Sequence, residues 1–224
     1  LDLEDGDYHH IKNVMKMKRG DLIKVVYDNV IYTCKLNNVS NKSTFDIINK
    51  EEKTDKKLSV SVAFSLIKEQ KLNYLLQKTT EIGVNKLIPI ETKRSVVKIE
   101  GNKEKTKIDR WKKICKEASE QSFRADIPEI SGILTLKNLV NLDYDLKLVC
   151  SLNKNTKNIK KILEKNNKCV KILLVVGPEG GFDPLEEEYL LENGFKSVSL
   201  GENVLRAETA PVVALSMINY EFMR

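Results

Sequence analysis

One stretch near the C-terminal end limits the possible folds most strongly: KILLVVGPEGGFDPLEEEYLLENG, residues 171–194. Its apolar run lacks the alternation of a half-exposed strand and stops at Gly177, which is typical of a strand buried on both faces of a parallel sheet. Asp183, Pro184 and Glu186 then form a capping-box pattern with proline at the first helical position, so a helix begins there. A strand, a glycine-rich loop and a helix in this order indicate an α/β domain.

The alternation of strand and helix repeats from Leu58 onward. The segments SVSVAFSLI, KLIPI, LKLVCSL and KSVSL are typical of strands. Between them, KEQKLNYLLQKTTEIG and IDRWKKICKEASEQSF place their apolar residues on one helical stripe, and Gly83 is a C-cap for the first helix. The pattern predicts an α/β domain over residues 59–224, with a mainly parallel sheet covered by helices on both faces.

The first part of the chain, residues 1–58, has a different pattern. DLIKVVYDNVIYTCKL alternates around an Asp28-Asn29 turn signal, and STFDII predicts a further short strand. HHIKNVMKMKRGD places Ile11, Val14 and Met15 at helical spacing, so one short helix precedes a small sheet or barrel. The charged run NKEEKTDKK, residues 49–57, is interpreted as a turn or linker near the domain boundary.

Charge and cysteine usage narrow the class of protein. The formal net charge of +6 over 224 residues favours a polyanionic partner, although lysine-rich surfaces also occur in proteins that bind no nucleic acid. The four cysteines stand far apart, with no C-x-x-C and no histidine pair at ligand spacing, so we expect free thiols, no metal and a cytoplasmic location. The polar start LDLEDGDYHH and the lack of long apolar runs predict neither a secretory signal nor a membrane span.

The glycine-rich loop GPEGGF follows a central strand, where open α/β sheets place their ligands. Its glycines let backbone approach a ligand closely, although a tight structural turn would use the same residues. The chain has neither a Walker A loop nor a G-x-G-x-x-G fingerprint before its first helix. Glu179 and the acidic start of the next helix would repel phosphate, so we expect a neutral or cationic ligand.

A second loop, GENVLRAET at residues 201–209, has the same placement between a strand and the apolar helix APVVALSMINYEF. Thr209 is its expected N-cap. Arg206 and Glu208 are charges between two buried elements, and such charges are seldom free of a partner. They form either an internal bridge that pins the loop or a contact to substrate.

These two loops, LLVVGPEGGF and SLGENVLRAETA, resemble the C-terminal signature of the SPOUT methyltransferases. Within that group the chain resembles the RsmE family, which methylates N3 of a uridine in small-subunit ribosomal RNA. HHIKNVMKMKRGD, QKTTEIGVNKLIPIETKRSVVK and ICKEASEQSFRADIPEI resemble the other family motifs, in the same order. The chain departs from the family pattern at Lys16, Lys93, Phe123 and Ala125. Phe123 and Ala125 flank Arg124, and at these flanking positions the family normally has Gly and Asn.

The resemblance implies S-adenosylmethionine as the cofactor. It assigns to the cofactor pocket Ser151, Leu152, Val176, Gly177, Pro178, Glu179, Gly180, Gly181, Leu200, Gly201, Val204, Leu205, Arg206 and Thr209. It further implies that the C-terminal helix passes through a trefoil knot, that residues 1–58 form a PUA-like RNA-binding β-barrel, and that the protein is a homodimer. The partner would be small-subunit ribosomal RNA, either free or within the assembled subunit, and its target uridine would leave its stack to react.

For the chemistry, we expect Arg206 to stabilise the negative charge that develops on the base when N3 loses its proton. Glu208 is interpreted as the partner of Arg206 in preference to a general base, because an acid beside arginine becomes a poorer base. The candidate RNA contacts are Lys12, Lys16, Arg19, Arg94 and Arg124.

Three alternatives stay open from the sequence. The first is a SPOUT enzyme with another RNA target, such as a ribose 2′-oxygen. The second is a non-catalytic RNA-binding protein of the same fold, which the intact cofactor loops argue against. The third is a nucleotide hydrolase, which the missing P-loop lysine argues against.

Overall fold

The computed structural model describes residues 8–27, 30–40, 43–52, 58–153 and 156–222, apart from the side chains of His10 and Val14. By backbone proximity the chain divides into two compact units, Leu1–Asp55 and Lys56–Arg224. The Asp28-Asn29 turn expected from the sequence lies outside the described residues.

The N-terminal unit contains a small antiparallel sheet. Its strands are β1 (Leu22–Tyr27), β2 (Val30–Leu36) and β3 (Phe45–Glu52), paired in the order β1-β2-β3. Tyr27 pairs with Val30 across the end of the hairpin, as the alternating pattern predicts. The predicted short helix is present as a single π-helical turn, His10–Val14, which buries Ile11.

The interpretation of residues 49–57 as a linker is wrong in its first half. Asn49 to Glu52 continue β3 and pair with β2, Glu52 opposite Val30. After Phe45 every residue of β3 is exposed, and an edge strand that faces water on both sides needs no apolar residue to mark it. Lys50 and Glu52 lie on one face of the strand and form an ion pair of 2.7 Å. Residues 53–57 lie outside the described part of the chain.

The described residues of the C-terminal unit form one eight-stranded sheet in which all strand pairs are parallel. Its strands are β4 (Ser59–Ser65), β5 (Lys86–Glu91), β6 (Glu129–Ile130), β7 (Leu134–Thr135), β8 (Leu146–Cys150), β9 (Lys157–Asn158), β10 (Lys171–Val176) and β11 (Lys196–Ser199). Their order is β6-β5-β4-β10-β8-β11-β9, with β7 beside β5. The predicted α/β fold with a parallel sheet is confirmed.

Within the described part of this unit, six helices cover the two faces of the sheet. They are α1 (Glu69–Ile82), α2 (Gly101–Gln121), α3 (Leu136–Val140), α4 (Ile159–Lys165), α5 (Pro184–Glu192) and α6 (Ala210–Phe222). Helices α1, α2, α4 and α6 contribute to one core cluster, and α3 and α5 contribute to the other. In β10, Ile172 and Leu174 face the first cluster while Leu173 and Val175 face the second. This burial on both sides explains why the strand shows no alternation.

The helix ends follow the local signals in the sequence. Asp183 and Glu186 form the expected capping box at the start of α5, with Pro184 at its first position. Gly83 closes α1 at φ 104° and donates its N–H to the carbonyls of Thr79 and Thr80. Phe123, just beyond α2, also adopts a left-handed backbone at φ 53°. Glycine reaches that region at lower cost, so the side chain of Phe123 makes this backbone conformation less favourable.

Candidate active site

The carboxyl ends of β8, β10 and β11 are adjacent in the sheet, and the loops that leave them surround a cleft of about 900 Å³. The cleft brings together nearly all of the residues that the sequence assigned to a cofactor: Ser151, Leu152, Val176, Gly177, Pro178, Glu179, Gly180, Gly181, Leu200, Gly201, Val204, Leu205 and Arg206. Thr209 does not line the cleft and directly precedes α6, the place of an N-cap.

The glycine-rich loop of the cleft is also a tight turn. Gly181 adopts φ 66° and donates its N–H to the Pro178 carbonyl at 2.9 Å. A Cβ atom on Gly177 would lie 3.1 Å from the ring of Phe182, which is itself buried in the core. The loop is therefore both a tight structural turn and a wall of the cleft. The turn itself exposes the loop backbone to the cleft.

Arg94 holds this loop through hydrogen bonds to the loop backbone. Its Nη1 donates to the carbonyl oxygens of Gly180 at 3.0 Å and Phe182 at 3.1 Å. The sequence assigned Arg94 to RNA, but its guanidinium lines the cleft and is engaged with the loop backbone. The partners lie 86 and 88 residues away along the chain, so no local pattern indicates this contact.

Lysines offset the acidic groups around the loop. Lys71 pairs with Glu179 at 3.0 Å, and Lys93 pairs with Asp183 at 3.0 Å. Burial raises the pKa of Glu179, but the Lys71 hydrogen bond, a backbone N–H and the Lys68 charge together leave it below its usual value. The hydrogen bond from Lys93 is the main reason that the pKa of Asp183 lies below its usual value. Both groups are therefore carboxylates at neutral pH.

Ser151 is held at the end of β8 from three directions. Its Oγ donates to Glu187 Oε1 of α5 and accepts the Asn153 N–H at 3.0 Å, while its own N–H donates to the Val198 carbonyl at 3.1 Å. These bonds fix the third wall of the cleft. Asn153, Thr156, Asn158, Lys71 and Glu187 also line it and were not predicted from the sequence.

The loop after β11 presents one charge outward and one inward. The side chain of Arg206 is 79% exposed, whereas that of Glu208 is only 11% exposed. The closest charged atoms are 4.0 Å apart, at the outer limit of an ion pair. Glu208 Oε2 is buried without a hydrogen-bond partner in the described part of the structure. Such a long contact leaves the guanidinium of Arg206 able to meet a substrate.

The remaining RNA candidates divide by exposure. Lys12, Lys16 and Arg19 of the N-terminal unit are exposed; Lys12 also donates to the Tyr8 hydroxyl at 2.9 Å. Arg124 is 6% exposed and donates to the carbonyls of Thr80 at 2.6 Å and Val84 at 2.8 Å. Through these bonds Arg124, which follows α2, is linked to the C-terminal end of α1, and it also forms an ion pair with Asp126. A side chain so placed contributes to stability and does not suit the RNA contact expected from the sequence.

Cys150, at the end of β8, lines the cleft, and the state of its thiol argues against a nucleophile there. Burial raises the pKa of its thiol to about 12, so the group stays protonated at neutral pH. Within the ranges that the structure describes, no group of three or more His, Cys, Asp or Glu side chains is arranged to hold a metal ion. None of the described helices is both long enough and apolar enough to cross a membrane.

The two units match two family models. Residues 54–219 match an RNA methyltransferase domain, and residues 3–48 match an RNA methyltransferase PUA domain. Together with the parallel sheet and the cleft at its strand ends, these matches place the chain in the class of α/β RNA methyltransferases that carry a PUA domain.

Relatives define the family within that class. The chain is 36% identical to ribosomal RNA small subunit methyltransferase E of Bacillus subtilis, over 96% of this chain and 88% of that protein. It is 35% identical to the protein of the same name from Mesomycoplasma hyopneumoniae, over 93% and 88%. The chain therefore belongs to the ribosomal RNA small subunit methyltransferase E family, and the resemblance stated from its motifs is confirmed.

Solved structures agree with this assignment. A methyltransferase from Legionella pneumophila, determined with bound S-adenosylmethionine, is 30% identical, with a TM-score of 0.88 over 98% of this chain and 91% of that one. A ribosomal RNA small subunit methyltransferase E from Neisseria gonorrhoeae, also bound to S-adenosylmethionine, is 26% identical, with a TM-score of 0.86 over 98% and 91%.

Proposed function

We propose that this protein transfers a methyl group from S-adenosylmethionine to N3 of a uridine in small-subunit ribosomal RNA. The observation that carries the proposal is the cleft at the carboxyl ends of β8, β10 and β11, walled by the two loops that carry the family motifs. The names of the relatives and the cofactor bound in the neighbouring structures support the same reaction.

The cleft suits S-adenosylmethionine in size and chemistry. Its volume of about 900 Å³ lies within the usual range for small-molecule sites. Gly177, Gly180 and Gly181 expose backbone at one wall, and Leu152 and Leu205 supply apolar surface at the others. Among the described basic side chains of the walls, Lys71 pairs with Glu179 and Arg94 is bound to the loop backbone, which leaves Arg206 as the one open to a ligand. These features fit a neutral adenosyl group better than a nucleoside triphosphate.

The cofactor supplies a methyl carbon on a positively charged sulfur, and the protein has to align the uracil nitrogen with that carbon. Neutral uracil carries a proton on N3, and its loss leaves negative charge on the ring. Arg206, exposed beside the cleft, is placed to stabilise that charge through its guanidinium. Glu208, buried behind it, suits the role of orienting Arg206, and we assign it that role in preference to proton acceptor.

Exposed basic residues of the N-terminal unit would hold the RNA. Lys12, Lys16 and Arg19 present their charges to solvent there. Contacts of this kind to phosphate position a nucleic acid without reading its sequence. The target base would leave its stack to enter the cleft, as in other enzymes that modify bases.

The assembly that we propose is a cytoplasmic homodimer in which the chain forms a trefoil knot around α6. This helix, APVVALSMINYEF, is apolar on nearly all sides, and such a helix is normally covered all round. Ala214, Leu215 and Ile218 are buried, but Tyr220 is 81% exposed. A second copy of the chain against this face would cover it.

Calorimetric titration with S-adenosylmethionine tests the cofactor, and we expect saturable binding at one site per chain. Mass analysis of nucleosides from small-subunit ribosomal RNA of a deletion strain then tests the target, with 3-methyluridine expected to disappear. If a ribose-methylated nucleoside disappears instead, the protein is a methyltransferase that acts on a ribose 2′-oxygen. Absence of cofactor binding would reject a methyltransferase of either kind.

A further inference from the structure

Helix α4 and its flanks form a lysine-rich surface that the proposed reaction has not used. Between Thr156 and Cys169 the chain contains one carboxylate, Glu164, and the lysines Lys157, Lys160, Lys161, Lys165 and Lys168. All of these lysines are exposed. We refer to these five residues as the α4 lysine surface.

The fold fixes the direction in which these side chains point. Ile159, Ile162 and Leu163 of α4 are buried in the core cluster on that face of the sheet. An amphipathic helix packed by this stripe turns its other face to water, and that face consists of lysines and Glu164.

Few of these charges are neutralised within the protein. Among the described residues the α4 lysine surface forms a single ion pair, between Lys160 and Glu164 at 3.8 Å. Elsewhere in this unit basic residues lie against carboxylates, as Lys107 and Arg110 do against Glu69. Uncompensated like charges on one helix face repel one another, and a polyanionic partner removes that cost.

The position of the surface relates it to the cleft. Strand β9 (Lys157–Asn158) pairs with β11, and Thr156 and Asn158 on either side of Lys157 line the cleft. The surface therefore begins at the mouth of the cleft. From there α4 carries it away from the mouth for about 10 Å, the length of a seven-residue helix.

We propose that the α4 lysine surface binds phosphates of the substrate RNA strand beside the target nucleotide. This inference rests on the proposed function, because a base inserted into the cleft leaves the neighbouring phosphates at its mouth. Lysine ammonium groups attract phosphates as point charges and do not read base sequence. The surface is a further RNA contact, carried by the C-terminal unit.

The test compares two variants that lose the same charge. In the first, Lys157, Lys161, Lys165 and Lys168 become Gln, which keeps good helix propensity. In the control, Lys103, Lys105, Lys112 and Lys113 become Gln; these lysines are exposed on α2 and line no part of the cleft. A third protein carries Arg at the four α4 positions and retains the charge.

Affinity for a transcript of small-subunit ribosomal RNA is measured between about 50 and 200 mM salt. Each phosphate contact to a single strand contributes about 0.7 to the slope of log affinity against log salt, so four contacts contribute about 3. We expect the slope to fall by about that amount in the α4 Gln variant and to change far less in the α2 control. The Arg variant should keep the original slope.

Two results would overturn the proposal: an unchanged slope in the α4 Gln variant, or the same fall in both Gln variants. Cofactor binding and methyl transfer by the unaltered protein are measured in parallel. If these activities are present and the α4 slope is unchanged, the lysine surface is rejected and the methyltransferase stands. If methyl transfer is absent with both the transcript and the assembled small subunit, the proposed function is rejected, while the slopes still decide whether the surface binds RNA.

Discussion

The guanidinium of Arg206 faces solvent at the edge of the cleft, 4.0 Å from its nearest carboxylate oxygen. Arg206→Ala should therefore abolish methyl transfer, because the charge that stabilises the deprotonated base is lost. It should leave the affinity for S-adenosylmethionine within tenfold, a difference of at most about 1.4 kcal/mol. Single-turnover kinetics and calorimetry measure the two effects separately. Full activity in this variant would remove the arginine from the mechanism.

Replacing Arg94 should weaken cofactor binding and change turnover little, the opposite of the effect expected for Arg206. Arg94→Ala removes two hydrogen bonds to the backbone of the glycine-rich loop and should weaken cofactor binding by about tenfold. The effect is no larger because the Arg94 side chain is exposed, and water competes for its hydrogen bonds. Turnover at saturating cofactor should change much less. Arg110→Ala is the control, since Arg110 lies against Glu69 on α1 and does not line the cleft. If Arg94→Ala binds S-adenosylmethionine with unaltered affinity, the glycine-rich loop keeps its shape without the two hydrogen bonds from Arg94.

Gly177 and Gly101 form a matched pair for a third test. Gly177→Ala places a methyl group 3.1 Å from the buried ring of Phe182 and should lower the free energy of unfolding by about 1–3 kcal/mol. Gly101 begins α2 with open space around it, so Gly101→Ala should raise the same quantity by about 0.5 kcal/mol. Urea unfolding measures both. Equal effects in the two variants would contradict the close contact at Gly177.

At the residue scale the sequence predicts contacts that are local and misses those that are not. The glycines and the Asp183 cap act within a few positions, so their types and spacing indicate the loop. Arg94 and Arg124 each lie among residues that are typical of an exposed segment. Their carbonyl partners are nevertheless 86–88 and 40–44 residues away along the chain. Only the fold brings these atoms together, which is why both were assigned to RNA.

Helices and strands could be predicted where burial produces a regular spacing of apolar residues in the sequence. The core strands and the stripe of α1 follow the apolar pattern closely. The end of β3 does not, because Asn49 to Glu52 are exposed on both faces and their side chains carry no signal. These residues are in a strand because their backbone pairs with β2. A run of charged side chains does not predict that pairing.

The start of α5 should make stability depend on pH in the acid range. The Lys93 hydrogen bond holds the pKa of Asp183 below its ordinary value of 3.8, and the Leu185 N–H acts in the same direction. The unfolded chain therefore binds more protons there, so this stabilisation is complete above the ordinary pKa and disappears as pH falls through the lowered one.

Asp183→Asn keeps an acceptor at the cap but removes the charge. The melting temperature of the variant should be lower than that of the unaltered protein at about pH 6, and the difference should vanish near pH 2. Asp143→Asn, at an exposed loop position, is the control. A difference that persists unchanged in acid would mean that the charge of Asp183 does not contribute.

For the whole molecule, motif order in the sequence identified the family, and the α/β class followed from the periodicity. The order of strands in the sheet did not follow from either. Strand β11 lies between β8 and β9, and β10 lies between β4 and β8, so neighbours in the sheet are distant in the chain. The central strands β4, β5, β8 and β10 are similarly apolar, and nothing in an apolar strand specifies which neighbour it takes. The knot and the division at residue 58 stay predictions.

The assembly is the last property to be tested at this scale. If a second copy covers the face of α6 that bears Tyr220, sedimentation equilibrium should give about twice the chain mass of 25.6 kDa. Tyr220→Glu should shift the protein toward the monomer, because a carboxylate buried at an interface without a partner is costly. Tyr74→Glu is the control, since Tyr74 is 44% exposed on α1. A monomer at every concentration of the unaltered protein would reject the dimer, and equal behaviour of the two variants would move its interface away from α6.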